Sequence, residues 1–160
     1  MRALLNASSW KLLLAAPLAL AALIAPLSAN AELGGDVASV QADQAHMKSA
    51  LRIQTAQAYT VHELHETTGT VVKEFISPTG KVFAVTWSGP FIPDLRQLLG
   101  PYFDQYSQAA QTRVRHSRRS PLLIEEPGLV VQSGGHMRAF FGRAYLTGEL
   151  PQTVRAEMIR

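Results

Sequence analysis

Three runs decide the fold class of this chain: Tyr59-Thr-Val-His-Glu-Leu-His-Glu66, Thr70-Val-Val-Lys-Glu-Phe-Ile-Ser77 and Lys81-Val-Phe-Ala-Val-Thr-Trp-Ser88. They are rich in β-branched and aromatic residues, which suit a pleated, half-buried surface. Between them stand Thr67-Thr68-Gly69 and Pro78-Thr79-Gly80. A three-residue loop with Gly last fits a type I turn followed by a left-handed residue and a bulge. Two consecutive hairpins follow, and with them an antiparallel meander.

The loops also set the register. In the first hairpin Val61 falls opposite Phe75, His62 opposite Glu74 and Glu63 opposite Lys73. A one-residue slip would set Glu63 against Glu74, and opposed charges favour the first pairing by roughly 0.2–1 kcal/mol per pair. In the second hairpin the same rule sets Phe75 opposite Phe83 and Val71 opposite Trp87. Phe83, Val85 and Trp87 would then share one core face.

Beyond the meander, Gly89-Pro90 ends the third strand and Pro93-Asp94 opens a helix. Leu95, Leu98, Leu99, Tyr102, Phe103, Tyr106 and Ala110 recur at helical spacing, an apolar stripe that suits covering a sheet. Gly100-Pro101 interrupts it, because proline removes a helical hydrogen bond, so a kink or two short helices are expected. Leu122–Glu126, a Pro127-Gly128 turn and Leu129–Ser133 come next. Gly134-Gly135 reads as a tight hairpin turn before His136–Leu146. Strands and helix in separate blocks make the class α+β. The arrangement would be an antiparallel β-meander, an amphipathic kinked helix packed on the sheet, then a second antiparallel set. The expected core is Phe75, Phe83, Val85, Trp87, Leu95, Leu98, Leu99, Tyr102 and Phe103.

Upstream, residues 32–57 are polar and alanine-rich. Val40–Leu51 suits a short helix, but its apolar face is thin, which makes residues 32–57 a loosely packed, partly helical arm. Residues 1–31 have a different character. Arg2 and Lys11 precede an uncharged run from Leu12 to Leu27, and Ala29-Asn30-Ala31 places small residues where a signal peptidase reads them. A membrane span needs about 20 apolar residues, and this run, broken by Pro17 and Pro26, falls short. A cleaved signal peptide is expected, and with it a periplasmic or secreted protein. The alternative is an uncleaved N-terminal anchor. The expected division is 1–31 signal, 32–57 arm, 58–150 a single domain and 151–160 a tail.

The chain has no cysteine, so no disulfide can staple it and packing must suffice. The pI of about 9.5 misleads. Two of the 15 Lys and Arg lie in the signal segment and all 12 acids lie after it, so the remainder carries 13 minus 12, or +1. That balance gives no support to nucleic-acid binding.

Candidate chemistry is sparse. His62-Glu-Leu-His-Glu66 resembles the zinc motif H-E-x-x-H, but its second His comes one residue early, and on a strand positions 62 and 65 face opposite ways. No metal and no cofactor is expected. Gly134-Gly135-His136 with Arg138 is a candidate ligand site, since His beside Arg offers donors to an anionic group. Otherwise these residues merely form and decorate a hairpin. Arg113, Arg115, Arg118 and Arg119 form a basic run that could touch an anionic membrane surface weakly, or serve as a solvated linker.

Taken together, Ala31-Glu-Leu-Gly-Gly35, Tyr59-Thr-Val-His-Glu63, Thr70-Val-Val-Lys-Glu74, Ser77-Pro-Thr-Gly80, Phe83-Ala-Val-Thr-Trp87, Pro93-Asp-Leu-Arg-Gln-Leu-Leu-Gly100 and Ser133-Gly-Gly-His-Met-Arg-Ala139 resemble an exported bacterial family, domain of unknown function 2844. The resemblance implies export to a Gram-negative periplasm and brings no activity or catalytic residue. The functional expectation is a non-catalytic binding or interaction module, with an envelope or periplasmic protein as partner. The alternative is a small hydrolase or transferase using His136. Intact-mass measurement on protein recovered from periplasm checks the export expectation: the product should begin at Glu32, and one still beginning at Met1 would refute it.

Overall fold

The computed structural model describes residues 32–36, 50–112 and 121–160. The expectations for residues 1–31, for most of the helix at 40–51 and for the basic run 113–119 lie outside these. Among the described residues seven strands follow one another: β1 (Ala50–Thr55), β2 (Thr60–His65), β3 (Val71–Ile76), β4 (Val82–Gly89), β5 (Leu122–Glu126), β6 (Leu129–His136) and β7 (Ala139–Leu146). They form one sheet in the order β1-β2-β3-β4-β7-β6-β5, with every neighbouring pair antiparallel. The architecture is thus mostly antiparallel sheet. The strands after the helical segment are no separate set, because β7 hydrogen-bonds to β4 and extends the meander's own sheet.

The helical segment breaks where glycine and proline demand it. Helix α1 (Leu95–Leu99) passes into a 3₁₀ turn at Gly100–Tyr102 and then into α2 (Phe103–Thr112). Asp94 caps α1, its Oδ1 accepting from the N–H groups of Arg96 at 2.9 Å and Gln97 at 3.3 Å. Leu98 and Leu99 are buried, and Leu95, Tyr102, Phe103 and Tyr106 pack partly buried around them against Val72, Val85 and Trp87.

The first hairpin has the expected register: Val61 pairs with Phe75, His62 with Glu74, Glu63 with Lys73. The second keeps it only near the turn. Ser77 N–H donates to Lys81 O at 2.8 Å and Ile76 pairs with Val82. The register then shifts by one, so that Phe75 pairs with Ala84 and Val72 with Trp87. The expected pairs Phe75–Phe83 and Val71–Trp87 do not form, and Phe83 is the extra residue of a bulge. As a result Val85 and Trp87 face the helices, while Phe83 and Ala84 both pack on the opposite side with Phe75. Alternation could not reveal this, because all six residues from Val82 to Trp87 are buried. The bulge brings the Phe83 ring to 6.2 Å from both Tyr59 and Phe75.

Both ends of the described chain enter the core. Leu33 is fully buried and donates its N–H to Leu98 O at 3.0 Å, while Gly34 N–H and Gly35 O bond to Val82. The stretch 32–57, read as a loose arm, therefore begins inside the core and ends as edge strand β1. Val154 and Ile159 from the tail cover Phe75, Phe83 and Ala84 on the other face. Fully burying an aliphatic side chain contributes about 1.5–3 kcal/mol, so the tail is a structural layer.

Gly134-Gly135, expected as the tight hairpin turn, is not the turn. They lie within β6, paired with Phe141 and Phe140. His136 pairs with Ala139, so the tight turn is Met137-Arg138, with Arg138 at φ 65°. The glycines are needed for room. A Cβ on Gly135 would overlap the backbone of Ala139, and one on Gly134 would press on the Phe141 ring. Gly142 plays the same part for the central strand, since a Cβ there would land inside the Trp87 indole. Gly142→Ala should therefore cost about 1–3 kcal/mol, as overpacking does, seen as a lower urea midpoint. Gly148→Ala, where nothing lies near the added carbon, should stay within about ±0.5 kcal/mol.

Candidate functional site

Pairing across the sheet builds one polar row from six strands. Arg52 stands beside Glu63, Glu63 beside Lys73, Lys73 beside Thr86, Thr86 beside Arg143, and Arg143 beside Gln132. Strand alternation puts the whole row on the face that carries the tail, away from α1 and α2. On one side of the row lie Phe75, Ala84 and Tyr145, which the tail covers. On the other lie Val71, Ser88 and Phe141, paired in register.

Arg143 holds the tail down. Its Nε donates to Gln132 Oε1 at 2.6 Å, and its Nη1 donates to Ala156 O at 2.6 Å and to Ile159 O at 3.4 Å. Among the described residues its Nη2 makes no hydrogen bond. Lys73 Nζ lies 3.8 Å from Glu63 Oε2, and the other oxygen of Glu63 meets His65 Nε2 at 2.6 Å.

Between the tail and the uncovered half of the row lies a cleft of about 400 Å³, within the ordinary range of small-molecule sites. Lys73, Thr86, Gln132 and Arg143 provide its polar wall, Val71 and Phe141 an apolar flank, and Ile159 with Arg160 the tail side. A second depression of about 380 Å³ adjoins it and shares Lys73 and Arg160. The cleft wall holds three cationic side chains, Lys73, Arg143 and Arg160, and no Asp or Glu side chain. Glu63, the nearest acid of the row, borders the second depression. Chemically this surface can hold an anionic group by charge-assisted hydrogen bonds.

The sequence-derived candidates fall elsewhere. His136 and Arg138 are exposed at the hairpin tip, with His136 Nδ1 3.3 Å from Met137 O. Neither they nor Gly134 and Gly135 line the two cavities. His62 is buried, its Nδ1 has no partner among the described residues, and burial lowers its pKa. His65 is exposed on the opposite face, so the two histidines share no site. No group of three or more metal-ligating side chains comes together among the described residues. Arg113, Arg115, Arg118 and Arg119 lie outside them. Of the cleft residues, only Lys73 was legible in advance, through its pairing with Glu63. Arg143 left one trace, a lone cation at an alternate position of an otherwise apolar run.

The fold and cleft define a sheet-dominated module, helix-covered on one face and tail-covered on the other, with a cation-lined cavity at the tail's edge. Residues 29–159 match the family described as protein of unknown function, DUF2844, and the chain belongs to that family. No curated protein and no solved structure gives a significant match.

The tail docks through charge-assisted hydrogen bonds, which contribute about 1.5–3 kcal/mol. Arg143→Leu should lower stability by about that much. Hydrogen exchange at the Ile159 amide, bonded to Ala156 O at 3.2 Å, should accelerate while the β2–β3 amides keep their relative order of protection. An unchanged Ile159 exchange rate would show that Arg143 does not hold the tail.

Proposed function

We propose that this is an exported, non-catalytic binding module whose ligand seat is the cleft beside the tail. The observation that carries the reading is the convergence of Lys73, Arg143 and Arg160 on one cavity without an Asp or Glu side chain in its wall. Polar groups converging on an otherwise apolar concavity are the usual form of a small-molecule site. The reading replaces the hairpin at His136 and Arg138 as the place of contact. A hydrolase or transferase built on His136 gains no support from the geometry, since that residue borders neither cavity. Export rests on the N-terminal signal pattern, and a periplasmic setting on the family resemblance.

Amide chemical shifts test the location of the site. Protein from cells expressing the full chain is titrated with a small-molecule extract of bacterial envelope. The amides of Lys73, Thr86, Ser88 and Arg143 should shift together. Shifts confined to Gly135–Arg138 would move the site to the hairpin, and a spectrum without shifts would refute the binding reading.

A further inference from the structure

We infer that the cleft takes an amphipathic anion, a single alkyl or acyl chain ending in a carboxylate or phosphate head. The inference rests on the binding-module reading and assigns its ligand class. Two features of one cavity point the same way. The first is charge. Arg143 spends Nε and Nη1 on Gln132 and the tail carbonyls and keeps Nη2. Lys73 has only a long 3.8 Å ion pair, and Arg160 forms none among the described residues. Lys73 and Arg160 stand where the cleft meets the second depression, both of which they border, and Arg143 stands in the cleft. The head belongs there.

The second feature is the apolar flank. Phe141 is 51% exposed at the cleft, an aromatic ring left half in water, and Val71 lies across Ser88 from it in register. A bare inorganic anion would satisfy the cations and leave this flank wet. A neutral lipid would cover the flank and leave Arg143 and Arg160 without an acidic side chain to pair with among the described residues. A chain with an anionic head satisfies both, and its size suits the cleft of about 400 Å³.

Calorimetric titration of protein from cells expressing the full chain, with probes kept below micelle formation, tests this. Dodecanoate and dodecyl phosphate should bind one to one. Octanoate should bind more weakly, by two- to fourfold per methylene lost, the upper figure being full burial. Dodecanol should be at least tenfold weaker, and acetate and inorganic phosphate should give no measurable heat. A preference for either head names the source, free fatty acid or phosphorylated lipid, and supports the inference. The double variant Lys73→Met/Arg160→Met should lose about tenfold or more for dodecanoate, while Phe91→Ser, at an exposed ring outside both cavities, should lose nothing. Equal binding of dodecanol or of dodecyltrimethylammonium would overturn the assignment, as would acetate binding as tightly as dodecanoate. The probe series needs only the unaltered protein, so a variant that fails to fold leaves it decisive. If envelope extract shifts the cleft amides and no probe binds, the ligand class is wrong and the binding module stands. If neither gives a signal, both fall.

Discussion

Burial of β4 on both faces is the constraint from which the rest of the molecule follows. All six residues from Val82 to Trp87 are buried: Val82, Val85 and Trp87 join the core on one side, Phe83 and Ala84 the core on the other, and Phe83 is the bulged ring. A strand of that kind must sit in the middle of its sheet with a layer above and a layer below. β3 and β7 flank it, α1 and α2 supply one cover, and the tail supplies the other. The two covers are unequal. The helical cover presents an apolar stripe from both helices, on either side of the break at Gly100-Pro101. The tail is short, and Val154 and Ile159 reach only the half of the face around Phe75, Phe83 and Ala84. The half it leaves bare is where the cleft forms.

The polar row on that face is the natural boundary between the covered and the bare half. A buried polar group needs a partner, and the row supplies partners along the sheet and to the tail. Gln132 orients Arg143, and Arg143 takes the carbonyls of Ala156 and Ile159, which a 3₁₀ turn at Ala156–Met158 presents. The same guanidinium thus fixes the tail and borders the cavity. Structure and site are built on one side chain, so the edge of the cleft is as firm as the docking of the tail.

How much of this could be read from the chain depended on how local the determinants were. The first hairpin was legible to the residue, because a three-residue loop ending in Gly69 and the Glu63–Lys73 charge pair specify the same register. The break at Gly100-Pro101 was legible for a covalent reason. The second hairpin was legible only near its turn, since Val82–Trp87 lacks the alternation that would expose a bulge at Phe83. Gly134-Gly135 misled because glycine signals a turn and a close approach equally well, and here Phe140 and Phe141 approach. The cleft was illegible for a different reason. Its residues come from β3, β4, β6, β7 and the tail, and only the β4–β7 pairing, closed across more than 50 intervening positions between Ala84 and Tyr145, brings them together.

The grip of Arg143 on main-chain carbonyls has a consequence for protease resistance. Proteases bind their substrates as extended strands through main-chain hydrogen bonds. The carbonyls of Ala156 and Ile159 are already engaged, and the segment between them is coiled into a 3₁₀ turn. The docked tail is therefore a poor substrate, and cleavage has to wait for local opening. When opening and closing outpace cleavage, the nicking rate follows the population of the open form. The tail's susceptibility to digestion then becomes a gauge of how firmly that edge of the sheet is closed, and anything that fills the neighbouring cavity and steadies Ile159 would slow it.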